Sequence, residues 1–257
     1  MRLAPFETIK GPQWKGVESF CTTRRGGVSL GPWASLNMGL HTGDDPEHVN
    51  KNRQRLETLL PSAPVWLEQV HGIGIVDADH RCQEAFTNEA VPPTADAAIT
   101  RTPGRVLAIM TADCLPIVLA KSDGSALGVV HAGWRGLAAG VLEATLQQLS
   151  ARSPEPGVWR AWIGPAISQA HFEVGSDVLD AFAAKDPQAL KFFIPQPSRK
   201  RWMADLPGLA HWRLDQSGVH LVEHSGRCTY QQSDQFFSYR RDGVTGRQVT
   251  VAWLTGA

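Results

Sequence analysis

Three apolar runs each end on a side chain that borderline metal ions favour: His71 in LEQVHG, Cys114 in TADCLP and His131 in GVVHAGWRG. Each is followed by a turn-prone residue, so each imidazole or thiolate is expected where a buried sheet opens to solvent. Imidazole and thiolate are typical donors to Zn²⁺, and three protein donors with one open position is the arrangement of catalytic zinc, whereas structural zinc takes four. The spacing matches no compact finger, so a shared site requires the fold to gather the three. The residues alone leave a second account open, in which the thiol packs as a small hydrophobe and each histidine is a hydrogen-bonded structural residue.

The segment after His131 carries a different chemistry. Gly133 and Gly136 let the backbone turn tightly, a helix beginning near Leu137 points free amide N–H groups into that turn, and Arg135 adds a two-pronged cation. This outlines an anion site, although it is neither a Walker loop nor a dinucleotide fingerprint. A glycine turn with a solvated arginine would read the same. Asp113, beside Cys114, suits an orienter of a liganding histidine, a general base or a turn cap, and Asp96 is equally ambiguous. Asn37, His41, Arg53, Arg241 and Arg247 are polar residues able either to line a pocket or to support loops, and the pairs Arg24–Arg25 and Arg240–Arg241 leave the same choice.

Strands that could position these groups are expected over 65–70, 73–77, 97–100, 105–110, 115–120, 126–131, 158–163, 219–223 and 248–254, from their β-branched and aromatic content. Several are nearly continuous apolar runs, which suits burial on both faces. Asp45 followed by Pro46 predicts a helix start with Val49, Leu56 and Leu60 on one face. Leu137, Val141, Thr145 and Leu149 predict a second helix, and weaker patterns cover 176–184 and 205–215. The expectation is one α/β domain over 1–257 with more strand than helix.

The 257 residues balance 25 Lys+Arg against 25 Asp+Glu, which supplies no global field for nucleic acid or an anionic membrane. With no run of about 18 apolar residues and no secretory leader pattern, a cytoplasmic protein acting on small molecules is expected. Cys21, Cys82, Cys114 and Cys228 are too few and scattered for a disulfide framework, so each reads as a free thiol or a ligand.

Taken in order, QVHG (69–72), ADCLPI (112–117) and HAGWRG (131–136) make the chain resemble the YfiH family, also called the laccase-domain or polyphenol oxidase family. CTTRRGGVS, SLNMGLHTGDD and FFSYRRDGVTGR extend the resemblance over nearly the whole chain. It implies a zinc site of His71, Cys114 and His131. It also implies a layered α/β fold similar to the cytotoxic necrotising factor catalytic domain, with mixed β-sheets sandwiched between helices. The implied activity is purine nucleoside phosphorolysis of adenosine, inosine and methylthioadenosine to free base and ribose 1-phosphate, with adenosine deamination as a side activity. On that reading the candidate catalytic residues are His71, Cys114, His131 and Asp113. The candidate substrate-binding residues are Arg135, Gly133, Gly136, Asn37, His41 and Arg241, and a monomer is expected.

Copper-dependent phenol oxidation and peptidoglycan editing also attach to the resemblance. A multicopper oxidase needs roughly ten histidines with His-x-His pairs, whereas the nine here include no two separated by a single residue. Cu²⁺ still outcompetes Zn²⁺ for such donors, so weak oxidation is expected on metal substitution. A third reading makes Cys114 the nucleophile of a cysteine hydrolase with His131 as its base.

Overall fold

The computed structural model describes residues 6–80, 91–196 and 200–256; Cys82 lies outside them. The chain runs through β1 (Thr8–Lys10), β2 (Val17–Thr22), α1 (Pro46–Glu57), β3 (Ile75–Asp77), β4 (Ala97–Thr100), β5 (Leu107–Thr111), β6 (Leu115–Lys121) and β7 (Leu127–Ala132). It continues through α2 (Trp134–Ala139), α3 (Val141–Arg152), β8 (Trp159–Ile163), β9 (Glu173–Val174), α4 (Ser176–Ala183), β10 (Phe193–Gln196), β11 (Arg201–Ala204), α5 (Leu206–Gln216), β12 (Leu221–His224), α6 (Tyr239–Asp242) and β13 (Gln248–Leu254).

These strands form a six-stranded mixed sheet, β12-β8-β6-β7-β4-β3, an antiparallel four-stranded sheet, β1-β2-β13-β5, and a small three-stranded sheet, β10-β11-β9. In the six-stranded sheet only the outer pairs β12–β8 and β3–β4 are parallel.

Side-chain alternation explains the layering. Leu115, Ile117 and Leu119 of β6 pack with Leu137, Leu142 and Leu149 on one side of the large sheet, while Val118 and Ala120 face Ile109 and Leu107 of the four-stranded sheet. Strand β5 repeats the pattern, since Ala108 and Met110 point the other way, toward Leu56 of α1. Each central strand thus serves two apolar layers, so its run is apolar throughout. The outcome is helix, sheet, sheet, helix, the layered α/β arrangement expected.

Asp45 caps α1 by accepting from the Glu47 amide, with Pro46 in the first turn. The helix expected from Leu137 begins earlier, at Trp134, and is broken at Gly140, whose φ of 102° ends α2 and starts α3. Leu137, Val141, Thr145 and Leu149 are all buried across that break. The strand expected over 65–70 is instead an extended segment with isolated bridges at Val65 and Glu68. Its pairing is completed by a side chain: Gln69 Oε1 accepts from the Met110 amide and Nε2 donates to the Met110 carbonyl, at 2.9 and 2.8 Å. Strands β1, β2 and β9 to β11 are additions to the expected set. Among the described residues, no helix is long and apolar enough to cross a membrane.

Candidate metal centre

Strand register brings two of the three donors together. In the β6–β7 hairpin, Leu115 lies opposite Ala132 and Pro116 opposite His131, so Cys114 and His131 approach at one end of the large sheet. His71 arrives separately, on a turn that His71 itself makes at φ 61°, a conformation uncommon outside glycine.

Asp96, one residue before β4, joins the two arrivals. Its Oδ1 accepts from His131 Nδ1 at 2.8 Å and from the His71 amide at 2.9 Å; its Oδ2 accepts from the Gly72 amide at 2.6 Å and the Val70 amide at 3.3 Å. The His131 amide also donates to the Asp96 carbonyl at 2.7 Å. With Asp96 as acceptor, Nδ1 of His131 carries the proton and Nε2 is the nitrogen available to a metal. Burial by itself would raise the Asp96 carboxyl, but the bonds from His131, Gly72 and His71 outweigh it and hold the group below the ordinary carboxylate range.

The ligand atoms of His71, Cys114 and His131 all lie within 4.8 Å of one another. Nε2 of His71 is 3.8 Å from Cys114 Sγ, and the two imidazoles meet edge to face with centroids 4.7 Å apart. Zn–S and Zn–N bonds in a tetrahedral site put donors roughly 3.5 Å apart, so donor types and spacing fit zinc. His131 is buried, Cys114 half-buried and His71 exposed, which leaves one side open. Burial opposes the Cys114 thiolate, yet the charge of His131 and hydrogen bonds from both histidines outweigh it and hold the thiol below its usual range. Burial likewise opposes the His131 cation, but Cys114 and Asp96 overcome it and hold the imidazole above its ordinary value.

Gly133 and Gly136 are explained by close approach. A Cβ on Gly133 would sit 2.6 Å from His71 Cδ2 and 3.1 Å from Cys114 Sγ, and one on Gly136 would sit 2.8 Å from the Gly72 carbonyl. Arg135 is exposed, with its guanidinium 4.3 Å from the Trp134 ring centroid.

Several candidates have other work. The carboxylate that orients a histidine of the cluster is Asp96. Both oxygens of Asp113 are engaged, by Thr229 Oγ1 at 2.7 Å, Ser238 Oγ at 3.0 Å and the Arg240 amide at 2.7 Å. Asp113 therefore fixes the loop before Cys114, itself at φ 98°, rather than standing free as a base. Asn37 is buried and spent: its amide donates to Gly39, Thr42 and Asp44, and its oxygen accepts from the Gly39 and Arg247 amides. Arg241 places its donors on Thr229, Tyr230, Phe236 and, through two bonds, Asp242, which leaves none of its five N–H groups for substrate. The polar atoms of Asn37 and Arg241, both expected to bind substrate, are thus engaged by the chain itself, in support of their loops. Arg24 and Arg25 likewise tie loops, to Ala34 and Ser233 and to Asp234, while Arg240 binds the Glu173 carbonyl. Gln69 was missed as a positioning residue, although it stands inside QVHG.

A family model described as multi-copper polyphenol oxidoreductase laccase matches residues 18–255. Purine nucleoside phosphorylase YfiH of Escherichia coli K12 is 46% identical over 248 residues, covering 95% of this chain and 97% of that protein. A purine nucleoside phosphorylase of Pseudomonas aeruginosa is 44% identical over 246 residues, with the same coverage. The crystal structure of a Neisseria meningitidis protein assigned to family DUF152 matches with a TM-score of 0.89 at 41% identity, covering 98% of this chain and 100% of that one. With the likeness running from β2 to the end of β13, the chain belongs to the laccase-domain family, among whose members are proteins named purine nucleoside phosphorylase YfiH.

Proposed function

We propose that the chain is a zinc-dependent purine nucleoside phosphorylase, a single catalytic domain that converts adenosine, inosine or methylthioadenosine with inorganic phosphate into free base and ribose 1-phosphate. The observation that carries this reading is the convergence of His71, Cys114 and His131, with one carboxylate, Asp96, behind both histidines. The names of the relatives point to the same activity. Zinc in such a site supplies Lewis acidity and lowers the pKa of water, chemistry suited to phosphorolysis and to adenosine deamination as a side activity.

The chain's own residues do the positioning. Phosphorolysis builds positive charge on the ribose and negative charge on the leaving base, so catalysis depends on holding phosphate and nucleoside in fixed relation. Asp96 fixes the tautomer of His131 and the backbone of His71. Gln69 ties the His71 segment to Met110, and Asp113 holds the loop before Cys114. Exposed His71 marks the side from which substrate enters.

Metal analysis of the purified protein, coupled to incubation of inosine with and without phosphate, tests the reading. Equimolar zinc, with hypoxanthine and ribose 1-phosphate formed only when phosphate is present, is the expected result. Hypoxanthine release independent of phosphate refutes it.

One observation favours a second reading. Without a metal, Cys114, His131 and Asp96 form a thiol, base and carboxylate series of the kind used by cysteine hydrolases. A zinc-bound Cys114 resists alkylation until a chelator removes the ion, whereas a free catalytic thiolate reacts at once. Copper enters the proposal as a substituting ion in the same three-donor site, giving weak phenol oxidation.

A further inference from the structure

The GWRG turn, the natural anion site by sequence, has its glycines accounted for by the approach of His71 and Gly72. Helix α2 behind it has only six residues. Positive charge without an ion-pair contact gathers elsewhere among the described residues, where Arg53 and Arg247 meet the turn over residues 37–41.

Met38 is clamped between two arginines: its amide donates to the Arg247 carbonyl at 3.1 Å, and its carbonyl accepts from Arg53 Nε at 3.0 Å. The Arg247 side chain crosses the turn that carries His41, because a Cβ on Gly39 would sit 3.0 Å from Arg247 Cγ. Arg53 is 4% exposed. Its guanidinium lies 3.9 Å from the Trp66 ring centroid and reaches Met110 Sδ at 3.9 Å, on the strand leading to Cys114. Among the described residues none of His41, Arg53 and Arg247 makes an ion pair. Among the described residues, the Arg247 guanidinium hydrogen-bonds through Nη1, on the Thr245 and Gly246 carbonyls.

Desolvation, then Arg247, then Arg53 hold His41 below its ordinary value, the behaviour of a base crowded by cations. Arg247 is lowered by desolvation, against the pull of Cys114 and Asp113. Asp113 keeps its negative charge while its oxygens accept from neutral donors, and a divalent cation held by Cys114 would offset that thiolate. Glu57 offsets Arg53 in part, so the flank carries an excess of positive charge rather than an unopposed one, and among the described residues no carboxylate is in ion-pair contact with Arg247.

We propose that Arg247 and His41, backed by buried Arg53, form the subsite that holds the phosphate dianion beside the His71–Cys114–His131 cluster. The assignment rests on the phosphorylase reading for its occupant, inorganic phosphate. The 5′-phosphate of a nucleotide carries the same chemistry and is separated from it by the test.

The test titrates the metal-loaded, full-length protein with inorganic phosphate by calorimetry, without nucleoside, and then measures KM for phosphate and for inosine. Arg247→Gln is expected to weaken phosphate binding on the order of tenfold or more, the weight of one charge-assisted hydrogen bond. The inosine KM should stay within about twofold, Arg247→Lys should recover part of the loss, and Arg135→Ala should leave phosphate affinity unchanged. Circular dichroism and zinc content verify each fold, and exposed His41 provides an independent variant, His41→Asn, expected to weaken phosphate a few-fold.

Parental phosphate affinity in Arg247→Gln, or a loss that follows Arg135→Ala instead, overturns the subsite. Arg247-dependent binding of adenosine 5′-monophosphate but not of inorganic phosphate overturns its occupant. If phosphate binds through Arg247 while inosine is never cleaved, the subsite stands and the phosphorylase reading falls.

Discussion

Replacing Asp96 by asparagine isolates what one carboxylate does for the metal centre. Asp96 accepts four hydrogen bonds, two on each oxygen, from His131 Nδ1 and the amides of Val70, His71 and Gly72. Asparagine keeps the shape but offers one acceptor oxygen and an NH₂ group, so either orientation sets two donors against two N–H groups. Losing two hydrogen bonds to a charged group costs about 3 kcal/mol or more, and loss of a carboxylate behind liganding histidines lowers metal affinity roughly 10- to 100-fold. Urea unfolding of the metal-stripped protein measures the first quantity, and competition with a chromophoric chelator measures the second.

The acid limb adds a check with a definite sign. Because the carboxyl is depressed in the fold, its stabilisation is present above its unfolded pKa of about 4 and is lost as pH falls through the folded value. The asparagine variant should lack that component. Zinc affinity within about threefold of the parent, together with a destabilisation under about 1 kcal/mol, would refute the reasoning, since it would place the orientation of His71 and His131 elsewhere.

Gly133→Ala should separate folding from metal binding: its φ of −66° suits alanine, so stability should change little, while the new Cβ displaces His71 and zinc affinity falls by at least about tenfold. Equal metal affinity would contradict the contact. In metal-stripped protein, iodoacetamide should modify Cys114 before Cys21, whose thiol burial pushes up to about 12, and the pH midpoint for Cys114 should fall below the ordinary thiol value. Peptide mapping across a pH series decides this, and preferential labelling of Cys21 would oppose it. Asn37→Ala removes five hydrogen bonds from a buried turn and should cost about 3 kcal/mol in urea unfolding; a loss under about 1 kcal/mol would return Asn37 to the pool of spare polar residues.

The legible part of the site is the part that register controls. Cys114 and His131 flank consecutive apolar runs that pair as β6 and β7, so their meeting follows from a hairpin. His71 belongs to the cluster because Asp96 binds its turn, and a carboxylate reveals nothing in sequence about whose amides it accepts. The same limit applies to Asn37 and Arg241, whose partners include backbone carbonyls that no side-chain pattern marks.

Among the elements, long runs that serve two apolar layers were visible at once. Strands β9 to β11, of two to four residues, are too short for a period to register. The 65–70 segment has the composition of a strand but pairs through the side chain of Gln69. Gly140 breaks the second helix without breaking its apolar spacing, because α2 and α3 both contribute to the same core.

His131 lies sealed on its strand, whereas His71 occupies a surface turn gathered around a single carboxylate. The two ends of this donor set should thus let go at very different speeds. Release and uptake of a cation would require only the outer imidazole to swing aside, with Cys114 and His131 keeping their places as a waiting half-socket. Residence time would then be governed by a few exposed residues rather than by global opening, and one ion could be traded for another in an intact molecule.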